Sequence, residues 1–348
     1  MPFAPPENRI GLGLAAVGRP GYINLGRERD LPADRSVEAL RARSHDLLDA
    51  AYAAGVRYFD VARSYGLAEE FLAGWLPGKA GVVVGSKWGY TYTAGWRVDA
   101  PVHEAKDHSV ATFDRQVAES LELFGDRLDL YQIHSVTPES TALTDAALHR
   151  RLADLAATGV TVGLSTSGPR QADAIRAALR VEVGGEPLFR TVQATWNPLE
   201  PSAGPALAEA HADGRAVIVK EALANGRLAA CDAAAIAAAL RRPWVDVVLS
   251  GAATTAQLAA NLRALDLAGP RRSPAAEPEP HTGDAADAGA PPAADAEPRG
   301  GDAADPEPRG GDAADPEPRG RDLAGLGPLP AAEPPDVYWA HRASLRWS

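Results

Sequence analysis

The chain has 348 residues, 45% of them hydrophobic and 23% charged, enough to bury one large core or two modest ones. A single cysteine, Cys231, rules out an internal disulfide and a cysteine-based metal cluster, which fits a reducing, cytoplasmic location. The net charge of −11 argues against nucleic acid as a partner. Residues Met1 to Ile10 carry three prolines and no apolar leader, and no stretch reaches the roughly 18 apolar residues a membrane helix needs, so no membrane partner is expected.

From Ile10 onward, short β-branched runs alternate with longer Ala/Leu stretches of helical period. In chain order the pattern predicts strand Ile10–Leu14 and helix Ser36–Ala54, then strand Tyr58–Val61 and helix Glu69–Leu76. Strand Val82–Ser86 precedes helix Val110–Leu123, and strand Leu128–Ile133 precedes helix Asp145–Ala157. Strand Thr161–Ser165 leads to helix Pro169–Leu179, and Thr191–Ala194 to Gly204–Ala212. The last two units are Ala216–Val219 with Ala233–Leu240, and Val245–Leu249 with Thr255–Leu265. Eight strands and eight helices over about 260 residues have the size of an α/β chain folded as a (β/α)8 TIM barrel. A doubly wound sheet is the alternative, but Gly11-Leu12-Gly13 runs into a long loop instead of the helix that a dinucleotide-binding turn requires.

Residues 269–335 break the pattern. They hold 15 of the 29 prolines and no Val, Ile, Phe, Tyr or Trp, and their 14 acidic and 6 basic residues account for −8 of the net charge. A ten-residue unit recurs, PPAADAEPRG from Pro291 and then GDAADPEPRG twice from Gly301 and Gly311. Units this polar cannot bury a face, so 269–335 reads as a long disordered low-complexity insertion, an inert spacer or a docking tail. The barrel domain is then 1–268 with 336–348, whose Tyr338, Trp339, Leu345 and Trp347 can dock on it.

Barrel chemistry sits at the C-terminal ends of the strands. There the sequence places Asp60 and, a short loop on, Tyr65; Lys87 after the third strand; and His134 after the fourth. Each has a structural alternative, as a helix cap, a core aromatic or an interior histidine. A lysine directly after the apolar run Val82–Val84, however, needs an acid partner to be desolvated. The pair His103 and His108 is five residues apart, the wrong spacing for one helical face, and no metal is expected.

Asp60-x-Ala62-x-x-Tyr65-Gly66-x-x-Glu69, Gly85-Ser86-Lys87 and Leu130-Tyr131-Gln132-Ile133-His134 together resemble the aldo-keto reductase superfamily, and Gly163–Ser165, Gln193–Asn197, Val219–Arg227 and Gly251–Asn261 follow in that family's order. The resemblance implies NAD(P)H-dependent interconversion of an aldehyde or ketone, a sugar among them, and its alcohol. Tyr65 would be the general acid/base, with Lys87 lowering its pKa toward the working range, Asp60 holding Lys87 charged and His134 orienting the carbonyl. By the same resemblance Ser165 and Gln193 hold the nicotinamide carboxamide, with Thr166 where an Asn is usual, and Gly251, Gln257 and Asn261 line the adenosine end. Lys220, also assigned to the cofactor site, stands where many members stack an aromatic ring on the nicotinamide. NADP(H) is expected ahead of NAD(H) as the family default, since Gly251–Gln257 carries no Lys or Arg and Arg263 reads as a surface residue. Trp88 and Tyr90, with Tyr92 and Trp96 nearby, and Trp196 are expected to wall a pocket for a small-molecule carbonyl substrate. Two other classes of function stay open: a catalytically weak cofactor-binding barrel acting as a redox-sensing subunit, and a scaffold whose acidic tract is the working part.

Overall fold

The computed structural model describes residues 5–26, 30–31, 33–270 and 325–348. All eight expected strands form and pair in parallel, each with the next, and the last closes on the first. They are β1 (Ile10–Gly13), β2 (Tyr58–Asp60), β3 (Val83–Trp88), β4 (Leu130–Val136), β5 (Thr161–Thr166), β6 (Thr191–Thr195), β7 (Ala216–Lys220) and β8 (Val247–Ser250). The register runs Gly13 opposite Asp60, Asp60 opposite Gly85 and Gly85 opposite Leu130, and it closes with Gly11 opposite Leu249.

Helices α1 (Val37–Ala53), α2 (Ala68–Trp75), α3 (Val110–Phe124), α4 (Ala146–Ala157), α5 (Gln171–Leu179), α6 (Gly204–Ala212) and α7 (Asp232–Leu240) follow the first seven strands. Ser36, Ser109 and Asp145 fix three of the starts by accepting first-turn N–H groups at α1, α3 and α4. After β8 the single helix expected over Thr255–Leu265 is divided at Arg263 into α8 (Thr255–Leu262) and α9 (Ala264–Ala268).

Side chains alternate along each strand, one set into the barrel and the next outward to the helices. Tyr58, Leu130, Ile218, Val247 and Leu249 fill the interior. Tyr58 lies across it so closely that a Cβ on Gly85 would stand 2.4 Å from its hydroxyl and one on Gly11 2.7 Å from its ring, which is why both strands carry glycine there. The outward set, including Phe59, Val84 and Ile133 on one side and Val192, Val217 and Val248 on the other, packs beneath the helices.

Two strands run two or more residues further than expected: β3 continues through Lys87 and Trp88, paired with Gln132 and Ile133, and β4 continues through His134 to Val136. The polar residues that suggested strand ends are buried inside the barrel, where pairing carries on. A hairpin outside the eight expected strands, Tyr90–Tyr92 against Glu104–Lys106, stands between β3 and α3. Helix α10 (Pro335–Ser344) then buries Tyr338 and Trp339 against Leu199, Ala224 and Leu228.

The repeats of the expected insertion, within 271–324, lie outside the described residues. Of its C-terminal part, Leu326 is buried against the β6–β8 side of the core and Glu333 pairs with Arg227, so packing resumes before Pro335.

Candidate active site

The β2 end presents Asp60 to three donors: Lys87 Nζ from β3, Tyr58 Oη at 3.1 Å and Gln193 Nε2 from β6 at 2.9 Å. Lys87 also donates to the Val61 carbonyl at 3.0 Å, and both members of the pair are almost fully buried. Above them Tyr65 Oη lies 3.4 Å from His134 Nε2, with the two rings edge to face at 5.5 Å. The loop carrying Tyr65 is held against the loop after β1 by Gly66 at φ +65°, where a Cβ would stand 2.5 Å from the Gly18 carbonyl. His134 is aimed by a bulge in β4 between Ile133 and Val136, with Ser135 at φ +55°. The four residues expected to carry the chemistry are thus brought together.

Their electrostatics differ from the expectation. Burial first, then the Asp60 carboxylate, pushes the Tyr65 phenol well above the usual tyrosine range, and Arg19 is the cation that opposes this. Lys87 does not offset this rise; its ammonium is paired with Asp60 and donates to the Val61 carbonyl. Burial, with Lys87 next, drives His134 far below the ordinary imidazole range, so it is neutral.

A cavity of about 590 Å³ opens on these groups and extends to the β8–α8 turn. Tyr65, Tyr90, His134, Gln193 and Lys220 line it, and so do Gly251, Gln257 and Asn261. Gln257 Oε1 accepts from Ala253 N at 2.9 Å, and Asn261 Nδ2 donates to Ser250 Oγ at 2.8 Å, which shapes that turn. Ser165 is not among the lining residues; its hydroxyl is buried and accepts from Ser135 N at 2.8 Å, fixing the bulge beside His134. Two of the three expected pocket aromatics are corrected. Trp88 lies on the outward set of β3 and packs on Phe113 of α3 at 5.0 Å. Trp196 follows β6 with the same parity as Ala194 and packs on Trp244 at 5.9 Å. Only Tyr90, its ring 5.1 Å from His134, faces the cavity. His103 stacks on Trp347 at 4.1 Å, while His108 contacts the His134 carbonyl at 2.9 Å.

Several lining residues were given no role at the site by the sequence. Arg19 pairs with Glu104 at 2.5 Å, donates to the Ser64 carbonyl at 2.7 Å and sits 5.2, 5.2 and 4.7 Å from the rings of Tyr22, Tyr65 and Trp347. The C-terminal Ser348 exchanges two backbone hydrogen bonds with Tyr22, at 3.1 and 3.2 Å, which seats Trp347 at the cavity wall. Arg342 of α10 holds Glu221 through both carboxylate oxygens, Nε lying 2.9 and 3.0 Å from them. Gly18 next to Arg19 and Gly66 next to Tyr65 were the legible signal, a pair of glycines that lets the two loops touch.

A family model described as "Aldo/keto reductase family" matches residues 9–233. The chain belongs to the aldo/keto reductase family. It is therefore an NAD(P)-dependent oxidoreductase on a (β/α)8 barrel. Among solved structures, a candidate aldo-keto reductase from Pseudomonas aeruginosa is 24% identical, with TM-score 0.59 over 77% of this chain and 94% of that one. An aldo-keto reductase from Bacillus halodurans, in its holo form, is 20% identical with TM-score 0.56 over 74% and 86%. A glycerol dehydrogenase from Gluconobacter oxydans is 20% identical with TM-score 0.54 over the same shares. At these identities the likeness is one of fold. No curated protein matches the chain.

The aldo/keto reductase's cavity suits a nicotinamide dinucleotide. Its wall at Gly251 is bare backbone, with no atom within 4 Å of where a Cβ would stand, and the N-terminus of α8, capped by Thr254, opens beside it. Gln193 supplies a polar group at the other end. No helix among the described residues is long and apolar enough to cross a membrane.

Proposed function

We propose that this enzyme reduces a small aldehyde or ketone to its alcohol, and catalyses the reverse, with Tyr65 as the acid/base. The observation that carries the reading is the contact of Tyr65 Oη with the neutral His134 Nε2, 3.4 Å apart at the wall of the cavity and above the buried Asp60–Lys87 pair. A reduced nicotinamide, when bound, supplies hydride to the carbonyl carbon. The proton for the carbonyl oxygen comes from the Tyr65 hydroxyl, which burial keeps loaded over the whole neutral range. His134 contacts the same hydroxyl and aims that oxygen. The alkoxide is neutralised as it forms, Tyr65 is left as phenolate beside Arg19, and water returns its proton.

Asp60 and Lys87 act from below. Their pair fixes the end of β2, and with it the loop that carries Tyr65, while Gln193 is held by the same carboxylate. Tyr90 and Trp347 wall the substrate end and exclude water. Gly251, Gln257 and Asn261 would hold the adenosine end, and Ser165 supports His134 through the Ser135 amide.

For the cofactor we favour NADP(H) over NAD(H). Arg43, on α1, donates to the Ala253 carbonyl at 3.1 Å and so brings a guanidinium to the adenosine-side turn, a cation not singled out from the sequence. Arg263 is exposed at the end of α8. The lone, partly buried Cys231 supports a cytoplasmic setting.

Binding and turnover test the two halves separately. Fluorescence titration with NADPH and NADH should give the tighter Kd for NADPH, and Arg43→Ala should narrow the gap. A panel of small aldehydes should then oxidise the bound cofactor; binding without oxidation by any member would leave the redox-sensing reading in its place.

A further inference from the structure

The cations at this cavity are not equally matched. Arg19 is taken by Glu104, Lys87 by Asp60, and Arg342 by Glu221 through both carboxylate oxygens. Lys220, at the end of β7, shares that last carboxylate from 3.9 Å and donates one hydrogen bond, to Thr195 Oγ1 at 2.9 Å. Thr195 itself donates to Glu221 Oε2 at 3.1 Å, so the group accepting from Lys220 is neutral. An ammonium has three donors, and one is accounted for. Lys220 lines the same cavity as Tyr65 and His134, and its side chain is only 15% exposed.

We propose that Lys220 is a specificity-determining residue that binds an anionic group, a carboxylate, on the carbonyl substrate. The inference rests on the reductase reading above and adds the substrate class to it. A carboxylate at Nζ would complete the charge balance that Glu221, held by Arg342, leaves open. Trp339, its ring centre 6.0 Å from Nζ, closes one flank of the ammonium.

The same geometry gives the site a pH dependence. The groups acting on Lys220 are Glu221, the residue after β7, Arg342 from α10, and Lys87 with Asp60 at the barrel floor; His134 in turn feels Lys220. Burial first, against the pull of Glu221 and with Arg342 and Lys87 adding to it, brings the ammonium down to about 8. The cation that would bind a carboxylate is therefore present below pH 8 and lost above it.

The test compares succinic semialdehyde with its methyl ester, which has the same carbonyl and no charge. The enzyme should prefer the acid, and Lys220→Met should cut the ratio of their kcat/KM values by about tenfold or more, mainly through KM. Lys220→Arg should keep the preference and hold it above pH 8, where that of the parent declines. Equal use of acid and ester, or a preference that Lys220→Met leaves intact, would overturn the proposal while leaving the reductase reading in place. If neither compound is reduced, the aldehyde panel above decides the reductase reading, and binding of butanoate against butanamide, read by tryptophan fluorescence, decides the carboxylate site: selective binding of butanoate that Lys220→Met abolishes supports it, and no selectivity overturns it.

Discussion

Removing Lys87 tests the floor of the site in energetic terms. In the folded chain the side chains of Lys87 and Asp60 are 1% and 3% exposed, so Lys87→Met strands a carboxylate in the barrel interior. Breaking a buried pair from one side costs about 3–5 kcal/mol. Asp60 keeps two donors, Tyr58 Oη and Gln193 Nε2, which places the loss near the lower end, about 3 kcal/mol. For a domain this large that is a fall in Tm of roughly 6–10 °C. Urea unfolding followed by circular dichroism, alongside calorimetry, measures it. The double variant Lys87→Met/Asp60→Asn, which removes both charges, should regain most of the loss. A single variant within about 1 kcal/mol of the parent, or a double variant no better than the single, would refute the reasoning.

Tyr65→Phe should bind NADPH as the parent does and turn over at least about a hundredfold more slowly, as single-turnover kinetics would report. Because Tyr65 is held far above its ordinary range, the pH profile of reduction should show no alkaline fall below about pH 10, whereas oxidation should rise with pH as the phenolate forms. His108, taken by burial first and by Lys106 to about 4, must stay neutral to fold, so its contribution is present above about pH 6.5 and is lost as pH falls toward 4, by about 3 kcal/mol; His108→Gln should flatten acid unfolding over that window. Trp347→Ala removes the ring over Arg19 and the stack on His103, and should raise substrate KM by about tenfold in steady-state assays. Replacing residues 271–324 by about ten Gly/Ser residues shortens a closed loop by fewer than three halvings, worth at most about 1.5 kcal/mol, so the melting temperature should hold or rise slightly and turnover should persist.

The barrel was legible because each βα unit carries two periods, and the eight strands stand where the alternation of runs puts them. Asp60, Tyr65, Lys87 and His134 were legible because each ends a strand or follows closely, and strand ends converge in a barrel. Parity was the weak point. Lys87 and Trp88 are neighbours in β3, yet one faces Asp60 and the other Phe113, because the period of two runs on past the expected strand end at Ser86. The second layer of the site was out of reach for a different reason. Arg19, Glu104, Glu221, Arg342 and Trp347 come from two loops, a hairpin strand, the C-terminal helix and the tail beyond it, and nothing local in a sequence says which of these will fold over which. Lys87 does not bring Tyr65 into the working range, because burial and the Asp60 carboxylate raise the phenol by more than a buried, paired ammonium can offset.

Hydride transfer to a carbonyl in the cavity at Tyr65 is measured directly by label transfer. Cofactor carrying deuterium at the transferable position of the reduced nicotinamide is incubated with the enzyme and a small aldehyde, and the alcohol is analysed by mass spectrometry. Deuterium should appear on the former carbonyl carbon, formed at least about a hundredfold faster by the parent than by Tyr65→Phe. Labelled cofactor that binds but delivers no deuterium, or delivery that Tyr65→Phe leaves at the parental rate, would contradict it.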